Sequence, residues 1–454
     1  MKKIALTIIS VVFPLVCGAQ ALKGSYFLDN SLNRHELNPA FAPRADYVQF
    51  FGIGNTGVTV SSNMDIPTFY YPNNGELVTF LHPSVSVSDF DKALAKSPGA
   101  YTDISTTLVG FGFYTRNKSF WTVDLDLVGS GAGAVPRDLF MFLKKGTGTS
   151  SQRFNVGNYN VEAYAGIQAS VGYSRNIFKG LRVGAKARLI LPVAYASMYG
   201  ENMMLETAPD KWVLSGEGYF RTAINGVDPL STAEDINWNA MLSGNMSVGL
   251  GYSFDLGAEY VLDLGTVVDG LSVSAAVTGL GQIHYKASAM STYKSEEHVE
   301  LSGIQDLEKI LDNFSNPSKV NDEESFTLAT TPWVRVGVEM PFLKNMMSVG
   351  LLYSARTNRV YTSNELMVSY NLNPCRWFAL GLNYSFLSGT DAMGFLVEFT
   401  PRVGPAFYIG CDCFPTSYAK VSTWQGVNVL PMSMKCNLNF GLAVHIGGKT
   451  TKEK

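Results

Sequence analysis

The residues able to do chemistry are few, and their spacing argues against catalysis. Five histidines, His35, His82, His284, His298 and His445, are scattered along the chain, and no two are spaced to hold a metal from one element. No Gly-x-Ser-x-Gly elbow occurs, so His445 would have no selected serine to serve as a base. We therefore expect no catalytic residues, no metal site and no cofactor. Four cysteines follow the leader: Cys375, Cys411, Cys413 and Cys436. Cys411 and Cys413 are too few for a zinc site. Cys413 and Cys436 flank a long loop, and their pairing in an oxidising compartment would staple its base.

The larger chemical set is charged. Asp124, Asp126, Glu162, Arg182, Lys186, Arg188, Arg335, Glu339 and Glu398 each fall on the polar side of an alternating segment. Such groups either line a polar path or pair with one another, because an unpaired charge away from water is costly. The formal net charge of -3 gives no basic footprint, so nucleic acid is not an expected partner.

The elements that must carry these charges are β-strands. From Val161 to Tyr173, Val161, Ala163, Ala165, Ile167, Ala169, Val171 and Tyr173 alternate with Glu162, Tyr164, Gly166, Gln168, Ser170 and Gly172. Leu181, Val183, Ala185, Ala187, Leu189 and Leu191 then alternate with Arg182, Gly184, Lys186 and Arg188. The same period of two runs through Met246–Phe254, Val334–Met340 and Phe378–Phe386. The opposing faces are rich in Gly, Ser and Ala, where a soluble sandwich would place Lys and Glu. Charged residues are only 16% of the chain, against about a quarter in soluble domains, and mean hydropathy is +0.06. Lys2 and Lys3, an apolar run to Val16 and the small residues around Ala19 form a secretory signal, with cleavage after Ala19 or Ala21. Val16 is bulky where a lipoprotein signal wants a small residue. After the leader, no apolar run is long enough to span a bilayer as a helix.

These features predict an all-β transmembrane antiparallel barrel of about 14 strands in a Gram-negative outer membrane. Short turns at 116–118, 176–180, 341–345, 373–375 and 402–405 belong to the periplasmic side, and the long connections to the outside. The expected divisions are a signal peptide at 1–19, a plug segment at 20–45, the barrel at 46–447 and a periplasmic tail at 448–454. Lys211–Phe220 also reads as a strand, and the in/out count closes only if it belongs to an outer-loop hairpin. Ile304–Phe314 and Pro136–Lys145 carry helical spacing within outer loops.

The segment Glu36-Leu37-Asn38-Pro39-Ala40-Phe41-Ala42-Pro43, placed just before the first strand, resembles the plug of FadL-type fatty-acid transporters and related PorV-type barrels. Val277–Ile283, Phe407–Asp412 and Asn437–Leu442 are similar to an uncharacterised Bacteroidota outer-membrane barrel family of unknown function. The first resemblance implies a fourteen-stranded wall, a plug motif at Asn38, Pro39 and Ala40, and passive transport of small hydrophobic ligands. The PorV-type resemblance implies a shuttle, scaffold or surface-interaction barrel that binds a surface or secreted protein through its outer loops. Outer-membrane lipid is a partner on either reading.

Overall fold

The computed structural model describes residues 22–50, 54–73, 76–146, 150–208, 211–225, 246–264, 268–301, 318–320, 325–357, 362–387, 391–414, 418–424, 427–431 and 435–447. The leader, the helical spacing at 304–314 and the tail from 448 lie outside them.

Period-two alternation makes each strand two-faced, and a sheet with one apolar and one polar face buries neither unless it closes. Here it closes. Fourteen strands form the wall. They are β1 (Tyr47–Phe50 and Thr56–Ser62), β2 (Gly99–Tyr114), β3 (Phe120–Ala134), β4 (Asn160–Phe178) and β5 (Leu181–Thr207). β6 (Gly249–Leu262), β7 (Leu271–Tyr285), β8 (Trp333–Phe342), β9 (Met347–Thr357) and β10 (Thr362–Cys375) continue it. β11 (Phe378–Leu387), β12 (Asp391–Phe399), β13 (Gly404–Phe414) and β14 (Cys436–His445) complete it. Each pairs antiparallel with the next, and β1 closes on β14 with Tyr47 opposite His445 and Thr56 opposite Phe440.

The outward face is apolar. Leu250, Phe254, Leu256 and Leu280 are each more than half exposed, which suits hydrocarbon and not water. Aromatic pairs gather at the short-turn end: Trp121 with Tyr173, Phe178 with Tyr260, and Trp377 with Phe399. That is the place of an interfacial girdle. Among the described residues no helix is long and apolar enough to cross a membrane.

Beyond the long-loop end the chain builds a cap. Trp212–Ile224 pairs with the upper part of β5 and with Met290–Leu301, above the wall. The strand-like segment at 211–220 therefore lies beyond the wall at the long-loop end, and the count of wall strands is unaffected. Helices α1 (Val87–Ala93) and α2 (Arg137–Lys145) lie in the first two long loops. Ser86 caps α1 by accepting from the Asp89 backbone N–H at 3.0 Å. Phe90, Phe142, Phe154, Leu205 and Trp212 share one buried cluster that joins these loops to the tall strands beneath them.

Candidate functional site

The plug explains why the wall's inner face is so rich in glycine. Residues 22–45 run inside the barrel: Tyr26, Leu28, Leu37, Asn38 and Ala40 are fully buried. A Cβ on Gly184 would lie 2.0 Å from the Pro39 carbonyl oxygen, and one on Gly257 would lie 2.0 Å from Asn38 Oδ1. Gly337 and Gly350 give the same close approach to the rings of Tyr26 and Phe27. The plug sits on stretches of wall that have no side chains to displace it.

Polar contacts then fix its height. Asn38 Nδ2 donates to the carbonyls of Ala258 and Ala275 at 3.3 and 3.4 Å, while its Oδ1 accepts from Ala40 N at 2.9 Å. Pro39 holds φ in this tight turn and has no N–H to leave unmet. The backbone N–H groups of Lys23 and Gly24 both donate to Asp412 at 2.8 Å, and Lys23 Nζ pairs with Glu365. Further down, Tyr26 OH lies 3.0 Å from Ser274 Oγ, and Tyr47 OH lies 2.8 Å from His35 Nε2. Asp412 and Glu365 stand towards the outer ends of their strands and Pro43 meets Tyr114 near a short turn. The plug thus descends from the upper lumen to the rim where β1 begins.

The wall's own charges are arranged around it. Lys186 pairs with Asp124 at 2.8 Å, with both side chains almost completely buried. Arg188 pairs with Asp255, and Asp126 accepts from Thr107 Oγ1 at 2.8 Å. Arg182 donates to Ser174 Oγ at 3.1 Å from Nη2. Arg335 Nη1 donates to Thr278 Oγ1 at 2.9 Å and to the Leu37 carbonyl of the plug at 3.4 Å. Glu398 is buried in register with Tyr408, and Glu339 is half-buried opposite Ser272. The structure therefore brings Asp124 together with Lys186, whereas Arg188 and Arg335 find partners outside the set read from the sequence.

Above the plug lies a cavity of about 510 Å³. Glu36, Asp126, Arg188 and Arg335 contribute its charged lining, with Glu162 higher on β4. Tyr101, Tyr164, Tyr195, Trp333, Ile190 and Ile283 supply apolar surface. This volume is in the range of small-molecule sites, and the mix of apolar surface with a few fixed polar groups is their usual composition. Arg356 on β9 reaches across the lumen to Asp103 on β2, at one side of the cavity. Asp103, Asp255, Arg356, Glu365 and Trp333 were not among the sequence candidates. Asp255 follows Phe254 on the inward side of its alternation, and extending that pattern by one residue would have found it.

The expected Cys413–Cys436 bond is not made, and all four described cysteines are free thiols. One extra residue on β13, between Cys411 and Phe414, opposes Met393–Phe395 as a bulge. It turns Cys413 into the lumen beside Lys23 and Glu365, while Cys436 faces outward. Side chains on opposite faces of the wall cannot meet disulfide geometry. His445 lies at the short-turn rim, where its Nδ1 contacts the Pro401 carbonyl. Among the described residues no group of three His, Cys, Asp or Glu side chains is arranged to hold a metal ion.

A closed fourteen-stranded wall with an apolar outer face, an internal plug and a capped outer end defines a transmembrane β-barrel of the outer-membrane type. Residues 39–412 match the Family of unknown function (DUF5723), and the chain belongs to that family. No curated protein matches it. Among solved structures it is similar to the Ralstonia pickettii toluene transporter TbuX, at 10% identity over 91% of this chain and 93% of that one, with a TM-score of 0.43. The Pseudomonas putida toluene transporter TodX is 11% identical over 94% and 95% of the two chains, with a TM-score of 0.37. A Pseudomonas aeruginosa FadL homologue is 10% identical over 92% and 95%, with a TM-score of 0.38.

Proposed function

We propose that this protein, exported by its signal peptide and inserted in a Gram-negative outer membrane, conducts small, mainly hydrophobic molecules passively through its lumen. The observation that carries the reading is the 510 Å³ cavity ending on a plug seated against glycines. A fourteen-stranded wall is too wide for its own side chains to fill. Here residues 22–45 fill the lower lumen and one side of the upper lumen, and the rest of the upper lumen is left open for a ligand. The lumen charges Asp124, Asp126, Glu162, Arg182, Lys186, Arg188, Arg335, Glu339 and Glu398 divide between two roles. Some hold wall and plug together, and some edge the ligand's path. Movement of the plug, released at Asn38-Pro39-Ala40, opens the route downward.

The test is uptake of a lipophilic fluorescent amine into proteoliposomes by the full chain and by a chain lacking residues 22–43. The shortened chain should admit the probe faster while keeping the heat-dependent gel mobility of a folded barrel. Equal uptake by two folded barrels would refute the reading.

A second reading, a shuttle or scaffold for a surface protein, is favoured by the cap. Leu81, Leu139 and Leu143 are exposed on it, Leu143 about half. Co-purification of a surface protein that is lost when this face is made polar, with uptake unaffected, would favour this second role.

A further inference from the structure

Three cations surround the indole of Trp333. The guanidinium carbons of Arg335 and Arg356 lie 5.0 and 5.4 Å from its ring centre, and Lys23 Nζ lies 5.8 Å away. Two of the three have acids of their own, because Arg356 pairs with Asp103 and Lys23 with Glu365. Arg335 has no carboxylate within ion-pairing distance among the described residues. Its residue is 2% exposed, only Nη1 is seen to donate, and Nε finds no acceptor. Asp255 and Glu365 act on Arg335 electrostatically, but they are committed to Arg188 and Lys23. Glu36 and Asp126 also line the cavity, and among the described residues neither forms an ion pair with Arg335.

A guanidinium keeps its charge and offers five donors in one plane. Buried without a counter-ion, it is an unfavourable arrangement that a bound anion relieves. The same cavity opens on Arg335 and is walled by Tyr101, Tyr164, Tyr195 and Trp333. Flat aromatic surface beside a guanidinium whose donors are only partly used suits a ring bearing a carboxylate.

We propose that Arg335 anchors the carboxylate of a compact aromatic acid in the cavity above the plug, with the ring held among Tyr164, Tyr195 and Trp333. This rests on reading the cavity as a ligand site and names the class of ligand. Because Arg335 also donates to the Leu37 carbonyl, the anion would meet the residue that touches the plug.

The test is calorimetric titration of the purified full chain with 3-phenylpropanoate and with its neutral amide, 3-phenylpropanamide. The acid should bind at least about tenfold more tightly than the amide, the scale of a charge-assisted hydrogen bond. Arg335→Gln should erase that preference without weakening the amide, and Arg335→Lys should restore part of it. Equal binding of acid and amide by the wild-type chain overturns the anchor even if no variant folds, and so does a preference that survives in Arg335→Gln. Equal binding would leave the uptake reading standing. Selective binding of the acid with no probe flux in either chain would sink the uptake reading and leave the anchor.

Discussion

Gly184→Ala should open the plug while leaving the wall intact. A Cβ at this position would lie 2.0 Å from the Pro39 oxygen, 2.3 Å from its carbonyl carbon and 2.5 Å from Ala40 N. All three are backbone atoms, so no rotamer change relieves the clash, and residues 38–40 must move by about an ångström or more to reach ordinary contact. The contacts at risk are the two Asn38 Nδ2 bonds at 3.3 and 3.4 Å and the Arg335 bond to the Leu37 carbonyl at 3.4 Å. These are long bonds, each worth about 0.5–1 kcal/mol net, so their joint loss costs about 2 kcal/mol. That raises the unseated fraction of the plug about thirtyfold. The wall loses nothing comparable, since the β4–β5 and β5–β6 registers continue through Gly184 opposite Ser174 and Gly257. Planar-bilayer recording should show more frequent open events, and protease should cut within 22–45 sooner, with unchanged heat-dependent gel mobility. Wild-type conductance together with wild-type protease protection would refute the claim that these glycines seat the plug.

Lys186→Met should destabilise the barrel by about 3–5 kcal/mol, because it strands the buried Asp124 carboxylate that Lys186 holds at 2.8 Å. Adding Asp124→Leu should recover much of that loss in urea titrations from lipid vesicles, and a double variant no better than the single one would contradict the pairing. In the outer cap, donation from Arg137 holds the Asp91 carboxyl below its ordinary 3.8. A group whose value is depressed on folding contributes stability above its unfolded value and loses it as pH falls through the folded one. Protease sensitivity of the loop containing α1 should therefore be flat above about pH 4 and rise in more acidic buffer, and Asp91→Asn should abolish the rise. A pH response unchanged in that variant would assign it to another group.

The sequence by itself determined the barrel, because alternation is a local property. Each strand's period of two decides which residues face inward, and that holds for Asp124, Lys186 and Arg188 whichever strands they neighbour. Turn lengths separated the two ends, and Asn38-Pro39-Ala40 stood out just ahead of the first strand. Height and distance across the lumen were not legible, because they depend on closure. Arg356 and Asp103 are 253 residues apart and meet because β9 and β2 stand on opposite sides of a closed wall. The plug's fit to Gly184 and Gly257 brings together segments that no local pattern relates. A single extra residue on β13 reversed the side on which Cys413 lies, and a one-residue bulge leaves almost no mark in an alternating sequence. That Arg335 has no ion-pair partner among the described residues is likewise a matter of the tertiary structure. Alternation turned the residue inward, and only the closed barrel decided that Asp255 and Glu365 would be taken by other cations.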